Sequence, residues 1–283
     1  MSPKKMLFPV GGGDELESRI NGALLVSKHF NTHLEVQLSE ATVSSGVPTG
    51  VVLPNEIVDK LEKIQLDNLK TVMSTHRHIF DECCKKIAIV ESETPINNQA
   101  TAHLTMTVGL RSTIVAQQTK FCDMVIAAAP QKGVATATFE AAVLESGKPV
   151  MVIPRAMKEF KTDKVIIGWN NSPEVARAVS AAIPLMKEAK LVHIVSTKAY
   201  TTESLSRIRD LRNYLAMHDI ETTFELIKTT FIPGEALLKT ANEGKFDLIV
   251  AGAYCKKGLK EMMLGGSSRY TLEHTKIPAL VSH

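Results

Sequence analysis

The sequence predicts an α/β fold built twice: two tandem domains, each an open, mostly parallel five-stranded sheet with helices on both faces. Three observations predict it. The chain has 283 residues, about two domains by length. Three stretches of the first half recur, in the same order, in the second half. Within each copy short apolar runs alternate with helical patterns, which implies right-handed βαβ units and a parallel sheet. A hydrophobic fraction of 44% and a charged fraction of 22% favour neither disorder nor a coiled coil. Domains of this size bury a real core without disulfides or metals.

The first copy opens on Lys4-Lys-Met-Leu-Phe-Pro-Val-Gly-Gly-Gly-Asp-Glu15, whose counterpart is Asp163-Lys-Val-Ile-Ile-Gly-Trp-Asn-Asn-Ser-Pro-Glu174. Each is an apolar run closed by small polar residues that lead into a helical pattern. Phe121–Ala129 pairs with Phe246–Ala253, and Gly147–Ile153 pairs with Lys276–Val281. Domains are expected at 1–154 and 161–283, joined by a polar stretch near Pro154–Lys161. The spacing from Lys5 to Asp123 exceeds that from Lys164 to Asp247 by 35 positions, mainly within residues 43–86. There Pro54 opens a long amphipathic helix with Ile57, Leu61, Ile64, Val72 and Met73 on one face. A stripe of this kind packs on the core first and serves a second chain only as the alternative.

In the second copy Lys164–Gly168 reads as a strand buried on both faces. Glu174–Lys187 is the first helix, with Ser172 as its cap and Pro173 at its first position. Leu191–Ser196, Thr222–Ile227, Phe246–Ala251 and Pro278–Ser282 are the remaining strands. Between them lie helices over Leu205–His218, over Pro233–Asn242 ending at Gly244, and over Ser267–His274.

Composition also narrows the partners. With 33 Lys+Arg against 30 Asp+Glu, the net charge of +3 predicts binding to neither nucleic acid nor a membrane surface. Aromatic content of 5%, with one Trp, argues against a stacking platform for single strands. The N-terminus lacks the apolar core and cleavage site of a signal peptide, and no apolar run approaches a bilayer span, so a cytoplasmic protein is expected. Cys83, Cys84, Cys122 and Cys255 then read as reduced thiols, and the neighbourhood of His76 and His78 matches no standard metal pattern.

In an open parallel sheet, ligands bind beyond the carboxyl ends of strands where the strand order reverses. Two second-copy loops meet that description: Gly168–Pro173, and the segment from Ala251 to Arg269. The run Gly265-Gly266-Ser267-Ser268 leads into a helix, so its N–H groups and hydroxyls can hold a phosphate, with Lys256, Lys257 and Arg269 as countercharge. The plainer reading is a tight turn with an ordinary Ser cap.

These residues resemble the universal stress protein family, in its tandem two-domain form. That family's nucleotide loop reads Gly, two residues, Gly, nine residues, Gly, then Gly, Ser or Thr. Here Gly252, Gly265 and Gly266 fit, Cys255 replaces the second Gly, and Gly266 stands where binders usually carry Ser or Thr. Asn170 replaces the acidic residue that follows the first strand in binders. The resemblance implies adenine nucleotide, ATP or AMP with accompanying Mg, in the second copy. Trp169, Asn170, Asn171 and Ser172 would border the adenosine, or they form only the turn and cap. It also implies that the two copies pair within one chain, with a homodimer and a protein partner as further expectations. No catalytic residue is assigned, and any hydrolysis would be slow. In the first copy the corresponding loop, Ala127–Gly133, is five residues shorter, so this half should not bind nucleotide through it.

Two rival readings are a nucleotide-independent interaction module and an enzyme of the adenine-nucleotide α-hydrolase type. The second rests on Gly11-Gly-Gly-Asp-Glu15, which departs from the pyrophosphatase loop at both ends and reads better as a turn with Asp14 as cap. Walker, GxGxxG and GxSxG motifs are missing from the sequence.

Overall fold

A computed structural model describes residues 3–11, 15–40, 54–131, 135–197, 202–227, 233–253 and 275–283. The first half runs β1 (Lys5–Val10), α1 (Leu16–Phe30), β2 (His33–Glu40), α2 (Asn55–Ile87), β3 (Val90–Glu91), β4 (Thr101–Val108), α3 (Arg111–Gln118), β5 (Met124–Ala128), α4 (Ala137–Glu140) and β6 (Val150–Ile153). The second half runs β7 (Lys164–Gly168), α5 (Pro173–Glu188), β8 (Leu191–Thr197), α6 (Thr202–Ala216), β9 (Thr222–Ile227), α7 (Pro233–Glu243), β10 (Leu248–Gly252) and β11 (Ala279–Ser282).

All these strands join one 11-stranded sheet in the order β3-β4-β2-β1-β5-β6-β11-β10-β7-β8-β9. Every pairing of named strands is parallel except β6 with β11, which is antiparallel and sets Met151 opposite Leu280. The five-stranded order β4-β2-β1-β5-β6 thus reappears in reverse as β11-β10-β7-β8-β9, and β3 adds a short edge to the first half. The same contacts recur at equivalent places. The Asp123 carboxylate accepts from the Lys5 N–H at 3.0 Å, and that of Asp247 from the Lys164 N–H at 2.8 Å. His33 Nδ1 meets Thr101 Oγ1 at 2.8 Å, and His193 Nδ1 meets Thr223 Oγ1 at 2.7 Å.

Alternation along the strands fills both faces, because successive side chains point oppositely. Met6 and Phe8 enter one core and Leu7 the other; Val165 and Ile167 enter the first and Ile166 the second. Both cores cross the β6–β11 seam, since Met151 and Leu280 belong to one while Val150 and Val281 belong to the other.

One expectation needs correction. The predicted apolar face of α2 splits: Val72 and Met73 pack on the core, whereas Ile57 and Ile64 are 45% and 57% exposed. The helix is instead anchored by Phe80, Cys83 and Cys84 farther along, where α1 and β4 cover it. Helix α7 ends at Glu243, just before Gly244 as expected, and Lys245 takes the left-handed conformation at φ 51°. Glycine is needed at 244 because a Cβ there would fall 2.4 Å from the Phe246 ring. At α1, Asp14 lies outside the described residues; Glu15 precedes the helix at φ 63° without capping it and binds Arg155 Nε at 2.7 Å.

Two predictions follow from this packing. Leu280→Ala removes a fully buried side chain from the seam and should cost about 3 kcal/mol by urea unfolding. Burial first of all holds His29, His33 and His193 below the ordinary histidine value of 6.5, so the folded state binds fewer protons than the unfolded chain. Stability should therefore be complete above that value and fall as pH drops through the lowered ones. The urea midpoint measured from pH 7.5 to 5 should decline, and His33→Gln with His193→Gln should flatten the decline.

Candidate functional site

Strand β7 lies between β10 and β8. The chain leaves β7 through α5 toward β8, and leaves β10 toward β11 on the other side, so a crevice opens beyond the carboxyl ends of β7 and β10.

The β7 side is built by four consecutive predicted residues. The Trp169 N–H still bonds the Val195 carbonyl at 2.8 Å, carrying the strand one residue further. Its indole Nε1 is closed off from solvent and has no hydrogen-bond partner among the described residues, an unsatisfied donor that is costly to bury. Asn170 Oδ1 accepts from the Ser172 N–H at 3.1 Å, and Asn171 sits at φ 59° in the left-handed region that Asn tolerates. Ser172 Oγ then accepts from the Val175 N–H at 3.3 Å and Pro173 follows, capping α5. The turn engages Asn170 and Ser172, while the Asn171 side chain is exposed.

On the β10 side, Gly252 pairs with Ser282 and is buried. A Cβ there would lie 2.8 Å from the Val175 nitrogen and 3.0 Å from the Glu174 Cβ, so the missing side chain lets α5 begin directly against the strand end. Sequence reading missed Glu174 as part of this corner. Burial raises its carboxyl, but bonds from its own N–H and from Ser172, with Arg177 nearby, outweigh that and leave it below the usual value. Its place in the first helical turn was the available signal.

The structure thus brings Trp169, Asn170, Asn171, Ser172 and Gly252 to one crevice. Cys255, Gly265, Gly266, Ser267 and Ser268 lie outside the described residues, as do Lys256, Lys257, Arg269 and His274. The thiols of Cys83, Cys84 and Cys122 are buried away from it, and burial pushes them up to about 11, 12 and 11, so none is a ready nucleophile. No helix among the described residues is long and apolar enough to cross a membrane.

Ser172→Ala should cost about 1 kcal/mol in urea unfolding through loss of the cap. Gly252→Val should cost more, about 2 kcal/mol or above, because α5 backbone must move to admit the side chain.

Comparison with known proteins places this geometry. Residues 170–283 match the model of the universal stress protein family. A universal stress protein from Archaeoglobus fulgidus DSM 4304 shares 14% identity, aligns over 98% of this chain and 97% of its own, and superposes with a TM-score of 0.69. A putative universal stress protein from Pseudomonas aeruginosa UCBPP-PA14 shares 15% identity over 99% of this chain and 93% of its own, with a TM-score of 0.58. A universal stress protein in complex with cAMP aligns with 43% of this chain and 96% of its own at 18% identity, with a TM-score of 0.37. No curated protein sequence matches. The first two of these structures share the whole fold with this chain, and its residues 170–283 are what matches the universal stress protein family model.

Proposed function

We propose that this protein is a stress-response protein whose second half binds adenine nucleotide, ATP or AMP, in the crevice beyond β7 and β10. The observation that carries the reading is Gly252, seated at the end of β10 against the first turn of α5, at the start of the stretch that continues to Gly265 and Gly266. Phosphates would be held by N–H groups of the Gly265–Ser268 run and by the hydroxyls of Ser267 and Ser268, with Mg accompanying the nucleotide. Trp169, Asn170, Asn171 and Ser172 would border the adenosine, and the Trp169 indole N–H has no partner among the described residues. Cys255 stands where the family pattern has glycine. Domains at 1–154 and 161–283, paired within one cytoplasmic chain, complete the reading.

A second reading, a nucleotide-independent interaction module, draws on one observation. The early part of α2 exposes Ile57, Ile64 and Leu66, apolar positions that a protein partner or a second copy could cover.

Calorimetric titration of ATP and AMP into the wild type and Gly265→Val separates the two. Saturable binding lost in the variant is the expected result. Absence of heat at millimolar nucleotide would overturn the nucleotide reading in favour of the interaction module.

A further inference from the structure

The first half has its own crevice at the equivalent strand ends, and it is furnished differently. Beyond β1 and β5 lies a cavity of about 380 Å³ lined by Arg19, Arg111 and Arg155, with Gln131, Thr136 and Thr138 as polar neighbours. The described residues that line it include no carboxylate. The three arginines come from three elements: Arg19 from the second turn of α1, Arg111 from the first position of α3, and Arg155 from the segment after β6.

Their positions are fixed by backbone. An Arg19 Nη donates to the Gly11 carbonyl at 3.1 Å, and an Arg111 Nη to the Ser39 carbonyl at 3.1 Å. Gly11 admits Arg111 over the strand end, because a Cβ at Gly11 would stand 2.2 Å from the Arg111 guanidinium. Arg155 reaches the Ala129 carbonyl at 3.5 Å while Glu15 holds its Nε. Glu40 stands 4.0 Å from Arg111, and neither glutamate lines the cavity. The Arg111 Nε is closed off from solvent with no hydrogen-bond partner among the described residues.

Three guanidinium groups line one cavity, and although Glu15 and Glu40 stand beside two of them from outside it, all three stay charged. An oxyanion inside the cavity meets all three, and the planar fork of arginine matches phosphate oxygens in pairs. Helices α1 and α3 both begin at this end of the sheet, adding their positive ends. The cavity lies at the small end of the range for ligand pockets, so the ligand is compact.

We propose that this crevice binds a compact phosphate-bearing anion, of the size of pyrophosphate or a small phosphate ester, through the side chains of Arg19, Arg111 and Arg155 rather than through a glycine loop. The inference stands apart from nucleotide binding in the second half.

Calorimetric titration of the full chain with pyrophosphate, glycerol phosphate, citrate and AMP tests it. Pyrophosphate or glycerol phosphate should bind saturably, and whichever binds tighter identifies an inorganic or an ester ligand. Arg111→Met and Arg155→Met should each weaken that binding about tenfold, while Arg111→Lys, which keeps charge but loses the fork, should lose less. Gly265→Val should leave it unchanged. Urea midpoints accompany each variant, and if Arg111→Met does not fold, Arg155→Met carries the comparison. The proposal fails if neither phosphate probe binds, if folded arginine variants bind like the wild type, if citrate or AMP binds the Gly265→Val chain tighter than both phosphate probes do, or if Gly265→Val abolishes the phosphate binding.

Discussion

Everything in this molecule depends on one antiparallel pairing in an otherwise parallel sheet. A parallel strand at the edge of a doubly covered sheet exposes backbone groups and apolar side chains that must be satisfied on both faces. Strands β6 and β11 would each be such an edge if the halves stood alone. Their pairing removes both edges at once, and Met151, Val150, Leu280 and Val281 are buried there in two cores that run across the seam. Antiparallel geometry also relates the halves by an approximate two-fold axis. The carboxyl ends of the two sets of parallel strands therefore point in opposite directions, and each half keeps its own crevice.

The two halves resemble each other in contacts more than in residue identity. The Asp123–Lys5 and Asp247–Lys164 bonds tie the start of a first strand to the start of a fourth, and the two His–Thr pairs tie second strands to third strands. These are the places where a five-stranded sheet must fix its register, and both copies use the same side chains there. Away from them the copies differ freely. Helix α2 has 33 residues where α6 has 15, and its early turns project beyond the core that anchors the rest.

Much of the fold is legible in the sequence because its signals are local. The apolar run at Lys164–Gly168, the Ser172-Pro173 start of α5 and the strand at Thr222–Ile227 all fall where the pattern puts them. Three features are not local. The spacing of Ile57, Leu61 and Ile64 reports amphipathicity but not where a helix leaves the body that covers it. Gly244 follows the end of α7, yet the need for glycine there comes from the Phe246 ring two residues on. At the candidate site, Ser172 and the turn were readable from neighbouring residues, whereas the Trp169 indole, without a partner among the described residues, and the contact of Gly252 with α5 exist only once β7 and β10 lie side by side. The arginines at positions 19, 111 and 155 form no motif at all, since their proximity is produced by strand order.

The two crevices share one topology but are furnished with different side chains. By position along the first strand, Gly11 corresponds to Asn170. In the second half Asn170 spends its side chain on the turn into α5, and the strand end stays clear of charge from that direction. In the first half the same position has no side chain, and the vacated space is taken by the guanidinium of Arg111, which arrives from α3. Restoring a side chain at Gly11 would displace Arg111, so the cationic cavity requires glycine there for steric reasons. A site that recognises charge through arginine forks needs little loop, which fits the five residues lost after β5. A site that recognises phosphate through backbone N–H groups needs the longer segment that follows β10. The unequal loop lengths and the unequal charge at the strand ends are thus two expressions of the same divergence between the halves.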